Sequence, residues 1–350
     1  MKIHEKYILR CIQIAKNGLG STFPNPMVGA LIVHNNRIIA EGFTSPYGGP
    51  HAEVNAINNV KDKSVLKEAT IYVTLEPCSH YGKTPPCADL IIKHKIPNII
   101  IGLKDPHEKV SGNGIKKLKN AGCNVITGVL EKECREHHKR FLCFYEKKRP
   151  YIILKWAETN DGFIAPLQEK RSATPEPFWI TTKAARQLVH QWRSEEQGIL
   201  VGTNTVIEDN PKLDVRNWHG KSPTRIIIDQ NLKVDASKNI LNTTAKTIVI
   251  TKEFSKNKQL QGIIYESVNF KKPLAMQICN ILHKHNILSV IIEGGSKTLQ
   301  TFINENLWDE ARVFTGITNF NKGIVAPKFT GKLKSTDTIK TDTLKTYYND

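Results

Sequence analysis

The sequence predicts an α/β protein with two domains, and three observations carry that prediction. The chain has 350 residues, which is more than one hydrophobic core of ordinary size accommodates. Short runs rich in β-branched residues alternate with helical patterns along most of its length, as is typical of α/β layer folds. A polar stretch closed by proline, residues 146–150, divides this alternation into two series. We therefore predict domains at residues 1–147 and 148–350.

The first series begins with a predicted β-hairpin, residues 28–33 and 37–40. Its turn contains Asn35-Asn36, and asparagine tolerates the left-handed backbone of tight turns. Further strands follow from β-branched runs, and helices follow from apolar residues at three- and four-residue spacing. The predicted strands are residues 70–75, 98–102 and 124–127. The predicted helices are residues 51–60, 87–94, 115–120 (ended by Gly122) and about 130–145.

The second series repeats the alternation after Pro150. A helix is predicted over residues 182–197, with Thr181 or Thr182 as its N-cap and Gly198 at its end. A second helix is predicted over residues 296–306. The predicted strands are residues 151–157, 199–202, 225–229, 247–251 and 289–292. Residues 166–177, rich in proline and polar side chains, are predicted to form a loop.

The composition limits the classes of partner. The net charge is +17, but the basic excess is shared evenly by the two halves and does not by itself establish nucleic-acid binding. We find no apolar run with the length of a membrane helix, and no signal peptide at the start. Seven scattered cysteines do not indicate a disulfide framework. We expect a soluble cytoplasmic protein that binds neither nucleic acid nor a membrane.

The strongest chemical signal is His51-Ala52-Glu53 together with Cys78 and Cys87. One histidine and two cysteines can supply three zinc ligands and leave the fourth position for water. Glu53 would then move protons between that water and a leaving amino group. His51 and Glu53 converge only if His51 stands at or before the first helical turn, because positions i and i+2 do not share a helix face. The sequence therefore predicts a zinc-dependent deaminase of an amino-substituted ring.

Two other interpretations of these residues stay open at this point. A nucleic-acid deaminase would explain the basic charge, but its signature has two residues between the cysteines. Here eight residues, 79–86, separate them. A non-catalytic protein with a structural zinc ion would need a fourth protein ligand, for which His80 is the obvious candidate.

Several runs together resemble one family, the bifunctional deaminase–reductases of riboflavin biosynthesis. The runs in the first half are residues 24–29 (Pro-Asn-Pro-Met-Val-Gly), residues 51–53 and residues 74–87, which contain both cysteines. The runs in the second half include Asp161-Gly162, residues 199–203, Asp209-Asn210-Pro211 and Glu293-Gly294-Gly295. They occur in the family's order over nearly the whole chain. The resemblance implies a cytidine-deaminase-like three-layer domain followed by a dihydrofolate-reductase-like α/β domain.

The family's chemistry supplies further expectations. The first half would remove the exocyclic amine from a diaminohydroxy-pyrimidine that carries a phosphoribosylamino group. The second half would use NADPH to reduce the ribosyl group to ribityl. The resemblance thus implies Zn²⁺ and NADPH as cofactors and a small phosphorylated pyrimidine as substrate. We also expect a homo-oligomer.

The resemblance also assigns roles to individual residues. It makes His51, Cys78 and Cys87 the zinc ligands and Glu53 the proton donor. The implied deaminase substrate contacts are Asn25, His80, Lys83 and Thr84. The implied reductase substrate contacts are Arg193, Leu213, Arg216 and Glu293. The implied NADPH contacts are Ala157, Trp179, Thr205, Asp209, Gly295, Ser296, Lys297, Thr298, Leu299, Gln300 and Thr301.

Physical arguments bear on some of these roles. Lys155 lies inside a predicted strand, and burying its charge is costly, which favours a role in substrate binding or a proton network. Arg193 could grip a phosphate or belong to a solvated helix face. Trp179 could contact the cofactor or belong to the core. Gly294-Gly295-Ser296 lies between a predicted strand and helix, where backbone N–H groups can cradle a phosphate.

Other features depart from known patterns. Gly112-Asn113-Gly114 begins a glycine pattern, but no dinucleotide fingerprint follows a strand in either half. Pro177 stands in a substrate-contact position and cannot supply the hydroxyl that the family usually has there. A deaminase with an inactive or altered second half is therefore a narrower alternative.

Overall fold

The chain divides into two units in the computed structural model, Met1–Lys148 and Arg149–Asp350. The structure describes residues 3–81, 85–106, 111–171, 174–253 and 259–349. Within those residues, the first unit holds a five-stranded sheet, and the second holds a nine-stranded and a two-stranded sheet. Each unit therefore has a β-sheet and core of its own, as the length of the chain predicts.

The first unit is built around the sheet β2-β1-β3-β4-β5. Strand β1 pairs antiparallel with β2 and β3, and β3, β4 and β5 pair in parallel. The strands are β1 (Gly29–His34), β2 (Arg37–Phe43), β3 (Thr70–Leu75), β4 (Asn98–Leu103) and β5 (Asn124–Thr127). The helices are α1 (Ile3–Ala15), α2 (Ala52–Asn59), α3 (Cys87–Lys93), α4 (Asn113–Asn120), α5 (Glu131–His137) and α6 (Lys139–Glu146).

Two glycines allow helices to pack on opposite faces of this sheet. A Cβ on Gly29 would lie 2.0 Å from the carbonyl oxygen of Cys11 in α1, and one on Gly42 would lie 2.3 Å from the amide nitrogen of Ala56 in α2. Gly42 pairs with Ala30, the neighbour of Gly29. Because successive residues of a strand face opposite sides, the two glycines do so too. Helices α1 and α2 thus form the outer layers of the predicted three-layer domain.

The turns and helix boundaries agree with the sequence in most places. Asn35 and Asn36 have φ of 48° and 59°, the left-handed conformation expected of the predicted hairpin turn. The helix predicted over about 130–145 is two helices, α5 and α6, and this part of the prediction is wrong. His138 stands at the break, where its Nε2 lies 3.1 Å from Thr74 Oγ1. This contact ties the junction to β3.

The second unit is built around the sheet β11-β10-β9-β8-β12-β6-β13-β16-β15. The strands are β6 (Tyr151–Glu158), β7 (Phe163–Pro166), β8 (Gly198–Gly202), β9 (Thr224–Ile228), β10 (Thr247–Thr251), β11 (Ile263–Ser267), β12 (Ser289–Ile292), β13 (Glu310–Thr315), β14 (Gly323–Val325), β15 (Lys332–Ile339) and β16 (Asp342–Tyr348). The helices are α7 (Lys183–Glu195), α8 (Thr203–Asp209), α9 (Leu274–Lys284) and α10 (Ser296–Asn304). Thr182 caps α7, and its Oγ1 accepts a hydrogen bond from Ala185 N at 3.4 Å.

The strand directions decide where a site can form in this unit. The strands from β11 to β13 run parallel, and β16 and β15 continue the sheet antiparallel. In parallel α/β sheets, ligands bind beyond the carboxyl ends of the strands. Strands β6, β8 and β12 are neighbours, so the residues that follow them meet at one edge of the sheet.

Candidate active sites

The three predicted zinc ligands converge in the first unit. His51 Nδ1 lies 3.3 Å from Cys87 Sγ and 3.7 Å from Cys78 Sγ. Ligand–zinc distances of about 2.0 Å for nitrogen and 2.3 Å for sulfur place neighbouring N and S atoms about 3.6 Å apart in a tetrahedral site. The donor set and its spacing therefore fit zinc. Among the described residues, these three form the group that could hold a metal, and His80 is not a member of it.

Local structure explains this convergence. His51 has an extended backbone (φ −71°, ψ 164°) and immediately precedes α2, so it meets the geometric condition for facing the same site as Glu53. Cys78 follows the end of β3, and Cys87 is the first residue of α3. The backbone N–H of Cys87 donates to Cys78 Sγ at 3.3 Å. Helix N-termini favour thiolates, so the start of α3 supports the negative charge of Cys78 through this N–H group.

The three ligand groups ionise unevenly: the hydrogen bond to Cys78 and burial raise the pKa of Cys87 well above its usual range, so metal binding must displace its proton. Hydrogen bonds from Cys87 and His51 lower the pKa of Cys78 to about 4, so its thiol is a thiolate at neutral pH. The hydrogen bond to Cys78 raises the pKa of His51 to about 9. Glu53 is buried, and burial together with the charge of Cys78 raises its pKa to about 7. A carboxyl with this pKa is suited to proton transfer near neutral pH.

Glu76 is a residue whose role the sequence did not predict. Its buried carboxylate accepts hydrogen bonds from the backbone N–H groups of Gly112 at 2.9 Å, Gly114 at 2.9 Å, Ile115 at 3.1 Å and Asp105 at 3.3 Å. These donors lie mainly at the start of α4, where an anion is favoured. Glu76 therefore ties the segment that carries Cys78 to α4.

Gly114 explains why α4 can approach this segment so closely. A Cβ there would lie 2.1 Å from the carbonyl oxygen of Pro77, the residue before Cys78. The pattern Gly112-Asn113-Gly114, which fails as a nucleotide fingerprint, thus serves the packing of the metal centre. Glycines opening a helix, together with a strand-end glutamate before Pro-Cys, were the available signal in the sequence.

We expect Glu76→Gln to weaken zinc binding about tenfold, because outer-shell partners orient metal ligands. The amide can replace only part of the acceptor capacity, so we also expect the unfolding free energy to fall by about 2 kcal/mol. Chelator competition would measure the affinity. Asp62→Asn is the control, since Asp62 is an exposed carboxylate that accepts one backbone N–H, from Ser64 at 2.9 Å. Unchanged zinc affinity in Glu76→Gln would show that Glu76 caps α4 without supporting the metal centre.

The predicted deaminase substrate contacts are only partly described. Asn25 is half-buried in the turn before β1, and its N–H donates to Thr22 O at 2.9 Å. His80 is exposed and follows Cys78 by two residues. Lys83 and Thr84 lie outside the described residues. The roles of all four residues stay predictions.

A cavity of about 1060 Å³ lies in the second unit, at the carboxyl ends of β6, β8 and β12. The predicted residues that line it are Lys155, Ala157, Trp179, Arg193, Thr205, Asp209, Leu213, Arg216, Glu293, Gly295, Ser296, Lys297, Thr298, Leu299 and Thr301. Gln300 is predicted with them but is not among the lining residues. Its side chain instead bonds to the backbone of Lys328, accepting from N at 3.0 Å and donating to O at 3.1 Å.

Three largely buried charged side chains form an ion cluster in this cavity, which we call the Glu293 cluster: Lys155, Arg193 and Glu293. Arg193 donates to both carboxylate oxygens of Glu293, at 3.0 Å and 2.7 Å, and Lys155 Nζ lies 3.9 Å from the nearer one. Burial opposes the ionisation of Glu293, but the charges of Arg193 and Lys155 outweigh it and lower its pKa to about 2. Lys155 is therefore paired, but burial outweighs the attraction of Glu293 and, with the charge of Arg193, lowers the pKa of Lys155.

The glycine-rich turn before α10 also faces this cavity. Thr205 Oγ1 accepts a hydrogen bond from Gly295 N at 3.0 Å, and a Cβ on Gly294 would lie 2.9 Å from the same oxygen. Residues in the first turn of α10 line the cavity, and first-turn N–H groups have no partner within their helix. The turn thus suits a cofactor phosphate, although Thr205 already satisfies one of the N–H groups expected to bind it.

Arg171 is a lining residue that the sequence did not identify. Its guanidinium bonds to Glu208 and, at 2.6 Å, to Asp209 Oδ1. Trp179, half-exposed at 52%, stacks with Arg186, whose guanidinium carbon lies 4.3 Å from the ring centroid. The exposure of Trp179 argues against the core interpretation and leaves its ring available to a ligand.

Comparison with known proteins decides the family. Residues 150–339, more than half of the chain, match the family model described as the RibD C-terminal domain. The chain belongs to the RibD family. Residues 1–103 match a second model, the cytidine and deoxycytidylate deaminase zinc-binding region. Both matches fall where the RibD resemblance placed the two activities.

Individual RibD relatives agree over nearly the full length. The riboflavin biosynthesis protein RibD of Aquifex aeolicus is 41% identical over 95% of this chain and 89% of its own length. The RibD protein of Bacillus amyloliquefaciens is 39% identical over 89% and 84%. A solved deaminase/reductase structure from Thermotoga maritima superposes with a TM-score of 0.89 at 36% identity, and 99% of each chain is covered. RibD of Acinetobacter baumannii gives 0.89 at 31% identity, again over 99% of each chain.

Family membership settles the general function. This RibD protein is a bifunctional deaminase and reductase of riboflavin biosynthesis, with a zinc-binding deaminase domain and a reductase domain that uses NADPH. The predicted fold classes and both predicted cofactors are confirmed, and the nucleic-acid deaminase and the inactive second half are not favoured. Among the described residues, no helix combines the length and apolar character needed to cross a membrane.

Proposed function

We propose that residues 1–147 deaminate a diaminohydroxy-pyrimidine carrying a phosphoribosylamino group, and that residues 148–350 then reduce its ribosyl group with NADPH. The observation that carries the first step is the group His51, Cys78 and Cys87, spaced for zinc beside the buried Glu53. The Thermotoga maritima structure supports the substrate, since it is described as a diaminohydroxyphosphoribosylaminopyrimidine deaminase/5-amino-6-(5-phosphoribosylamino)uracil reductase.

In the deaminase site, His51, Cys78 and Cys87 would hold the metal. Zinc in such a site supplies an activated water at neutral pH. Glu53 takes a proton from the attacking water at its carboxylate and delivers it to the leaving amino nitrogen. Its burial keeps bulk water from competing for that proton. Asn25, His80, Lys83 and Thr84 orient the pyrimidine and its phosphoribosyl group.

In the reductase site, the chemistry that bound NADPH would supply is hydride donation. Ala157, Trp179, Thr205, Asp209, Gly295 and the first turns of α10 would bind the cofactor, and the first-turn N–H groups would suit one of its phosphates. Arg216 binds the substrate phosphate, and Leu213 contacts the substrate beside it. The Glu293 cluster orients the ribosyl group. Pro177 lines the cavity as well, and it lacks the hydroxyl that the family resemblance implies at this position.

We also propose a cytoplasmic homo-oligomer that binds no nucleic acid. The free cysteines among the described residues support a reducing compartment. Light scattering on the purified protein, with and without added DNA, tests the oligomer and the absence of nucleic-acid binding. A monomer would overturn the first point, and a mass increase with DNA would overturn the second.

Removing the metal tests whether the first unit carries out deamination and the second carries out reduction. We expect a chelator to abolish ammonia release from the diaminopyrimidine substrate while NADPH oxidation on the deaminated intermediate continues. Zinc should restore the first activity, because the residues that would hold it, His51, Cys78 and Cys87, all belong to the first unit. Ammonia assays and absorbance at the NADPH band measure the two steps separately. The proposal would be contradicted if chelation abolished both ammonia release and NADPH oxidation. It would also be contradicted if the untreated protein showed neither activity.

A further inference from the structure

Helix α7 turns one face toward the cavity of the second unit, and His190 lies in the middle of that face. Arg186, His190 and Arg193 are spaced by four and three residues, so they share one side of the helix, and all three line the cavity. His190 is only 4% exposed. The proposed function gives Arg193 a role but leaves His190 without one.

The hydrogen bond of His190 fixes its tautomer. Nδ1 lies 3.0 Å from the carbonyl oxygen of Asp214. Because a carbonyl oxygen only accepts, Nδ1 carries the proton, and Nε2 of the neutral ring is an acceptor. Burial, together with the charges of Arg193 and Arg216, lowers the pKa of His190 to about 4, so the ring is neutral at pH 7.

The acceptor atom Nε2 is available to a ligand. Within the described part of the chain, the side chain of His190 makes its hydrogen bond through Nδ1, and Nε2 has no partner there. Among the described residues, the buried side-chain atoms without a partner are His138 Nδ1 and Arg312 Nη1. His190 Nε2 is not one of them, so it is accessible to solvent. It is therefore reached from the cavity that His190 lines.

The surroundings of His190 indicate which ligand would use this acceptor. The Asp214 carbonyl that holds His190 also lies 3.4 Å from Arg193 Nη1, and Asp214 Oδ1 accepts from Arg216 Nη1 at 2.5 Å. Leu213, directly before it, lines the cavity. Asp214 thus joins His190 to the proposed substrate contacts. Most of the proposed cofactor contacts lie on α8 and α10 instead.

The charged side chains near His190 supply mainly hydrogen-bond donors to this part of the cavity, whereas His190 supplies an acceptor. Arginine and lysine side chains only donate hydrogen bonds, and the carboxylate of Glu293 is engaged by Arg193 and Lys155. A sugar hydroxyl or amine N–H of the substrate requires an acceptor. We propose that His190 binds the reductase substrate by accepting a hydrogen bond at Nε2 from a hydroxyl or N–H of its phosphoribosylamino group. This inference rests on the proposed reductase function.

Two substitutions of His190 test this role, because each preserves the function of a different ring nitrogen. In His190→Asn, the amide can donate to Asp214 O as Nδ1 does, but no acceptor reaches the position of Nε2. In His190→Gln, the longer amide can place an oxygen near that position. We expect the dissociation constant and KM of the deaminated substrate to rise about tenfold in His190→Asn, as loss of one hydrogen bond predicts, and to change less than threefold in His190→Gln. The dissociation constant of NADPH should stay unchanged in both.

Calorimetric titration of substrate and NADPH, with unfolding temperatures of each variant, gives the readouts. Wild-type substrate affinity in His190→Asn would overturn the inference, as would an equal loss of NADPH affinity, which would indicate a structural role. If the wild-type protein bound NADPH but neither bound nor reduced the deaminated substrate, the proposed reductase function would fail first. A failure of His190 alone leaves wild-type reduction intact, so the two failures are distinguishable.

Discussion

Glu53→Gln is expected to lower ammonia release about 10³-fold, the range that loss of a positioned proton-transfer group produces. The amide has the shape of the carboxyl but cannot carry the proton to the leaving nitrogen. Because Glu53 is not one of the three metal-binding residues, zinc content should remain that of the wild type. NADPH oxidation should vanish with the diaminopyrimidine substrate and return when the deaminated intermediate is supplied.

Glu68→Gln is the matched control, because Glu68 is an exposed glutamate of the same unit whose carboxylate lies 3.7 Å from His34 Nε2. It should leave both activities unchanged. Ammonia release above a tenth of the wild-type rate in zinc-loaded Glu53→Gln would remove Glu53 from the proton path. Loss of zinc in that variant would instead make Glu53 a residue that supports the metal centre.

Glu293→Gln is expected to destabilise the second unit by about 3 kcal/mol and to abolish measurable reduction. The substitution leaves the largely buried charges of Arg193 and Lys155 without their counter-ion, and removing one partner of a buried ion pair is strongly destabilising. Denaturant unfolding measures the stability, and NADPH oxidation on the deaminated intermediate measures the activity. Ammonia release should be unaffected, because the metal centre belongs to the other unit.

The difference in unfolding free energy between wild type and Glu293→Gln should depend on pH in a defined direction. The pKa of Glu293 is about 2 in the folded protein, below the value of 4.5 for a free glutamate. Its ionised form therefore stabilises the fold fully above pH 4.5, and that contribution is lost as the pH falls toward 2. The stability gap between wild type and Glu293→Gln should narrow over the same interval.

Glu253→Gln provides the comparison at the surface of the second unit. The Glu253 side chain is 84% exposed and lies 3.6 Å from Lys252, a separation at which exposed pairs contribute little. We expect a change within roughly 0.5 kcal/mol. If Glu293→Gln lowered the unfolding free energy no more than this control, the ion pairs of the Glu293 cluster would not stabilise the fold.

Local patterns predicted most of the regular elements. The Asn35-Asn36 turn, the run of β-branched residues in β3 and the Thr182 cap each depend on a few adjacent residues, so sequence rules apply to them directly. The predictions lack the helices α1, α8 and α9 and the strands β7, β11 and β13 to β16. Helix α1 was missed although its buried residues Tyr7, Cys11 and Ile14 have helical spacing. The division into α5 and α6 left no such signal, because it depends on a contact between His138 and Thr74 across the fold.

The sequence by itself determined the chemistry of this protein. His51, Glu53, Cys78 and Cys87 specify zinc-dependent deamination by residue type and order, and the same runs indicate the family. Only the tertiary structure decided which other groups meet these residues. Glu76 reaches the start of α4 across 36 residues of chain, and Glu293 meets Arg193 across 100. Such pairings depend on how strands and helices are brought together, and periodicity carries no information about them.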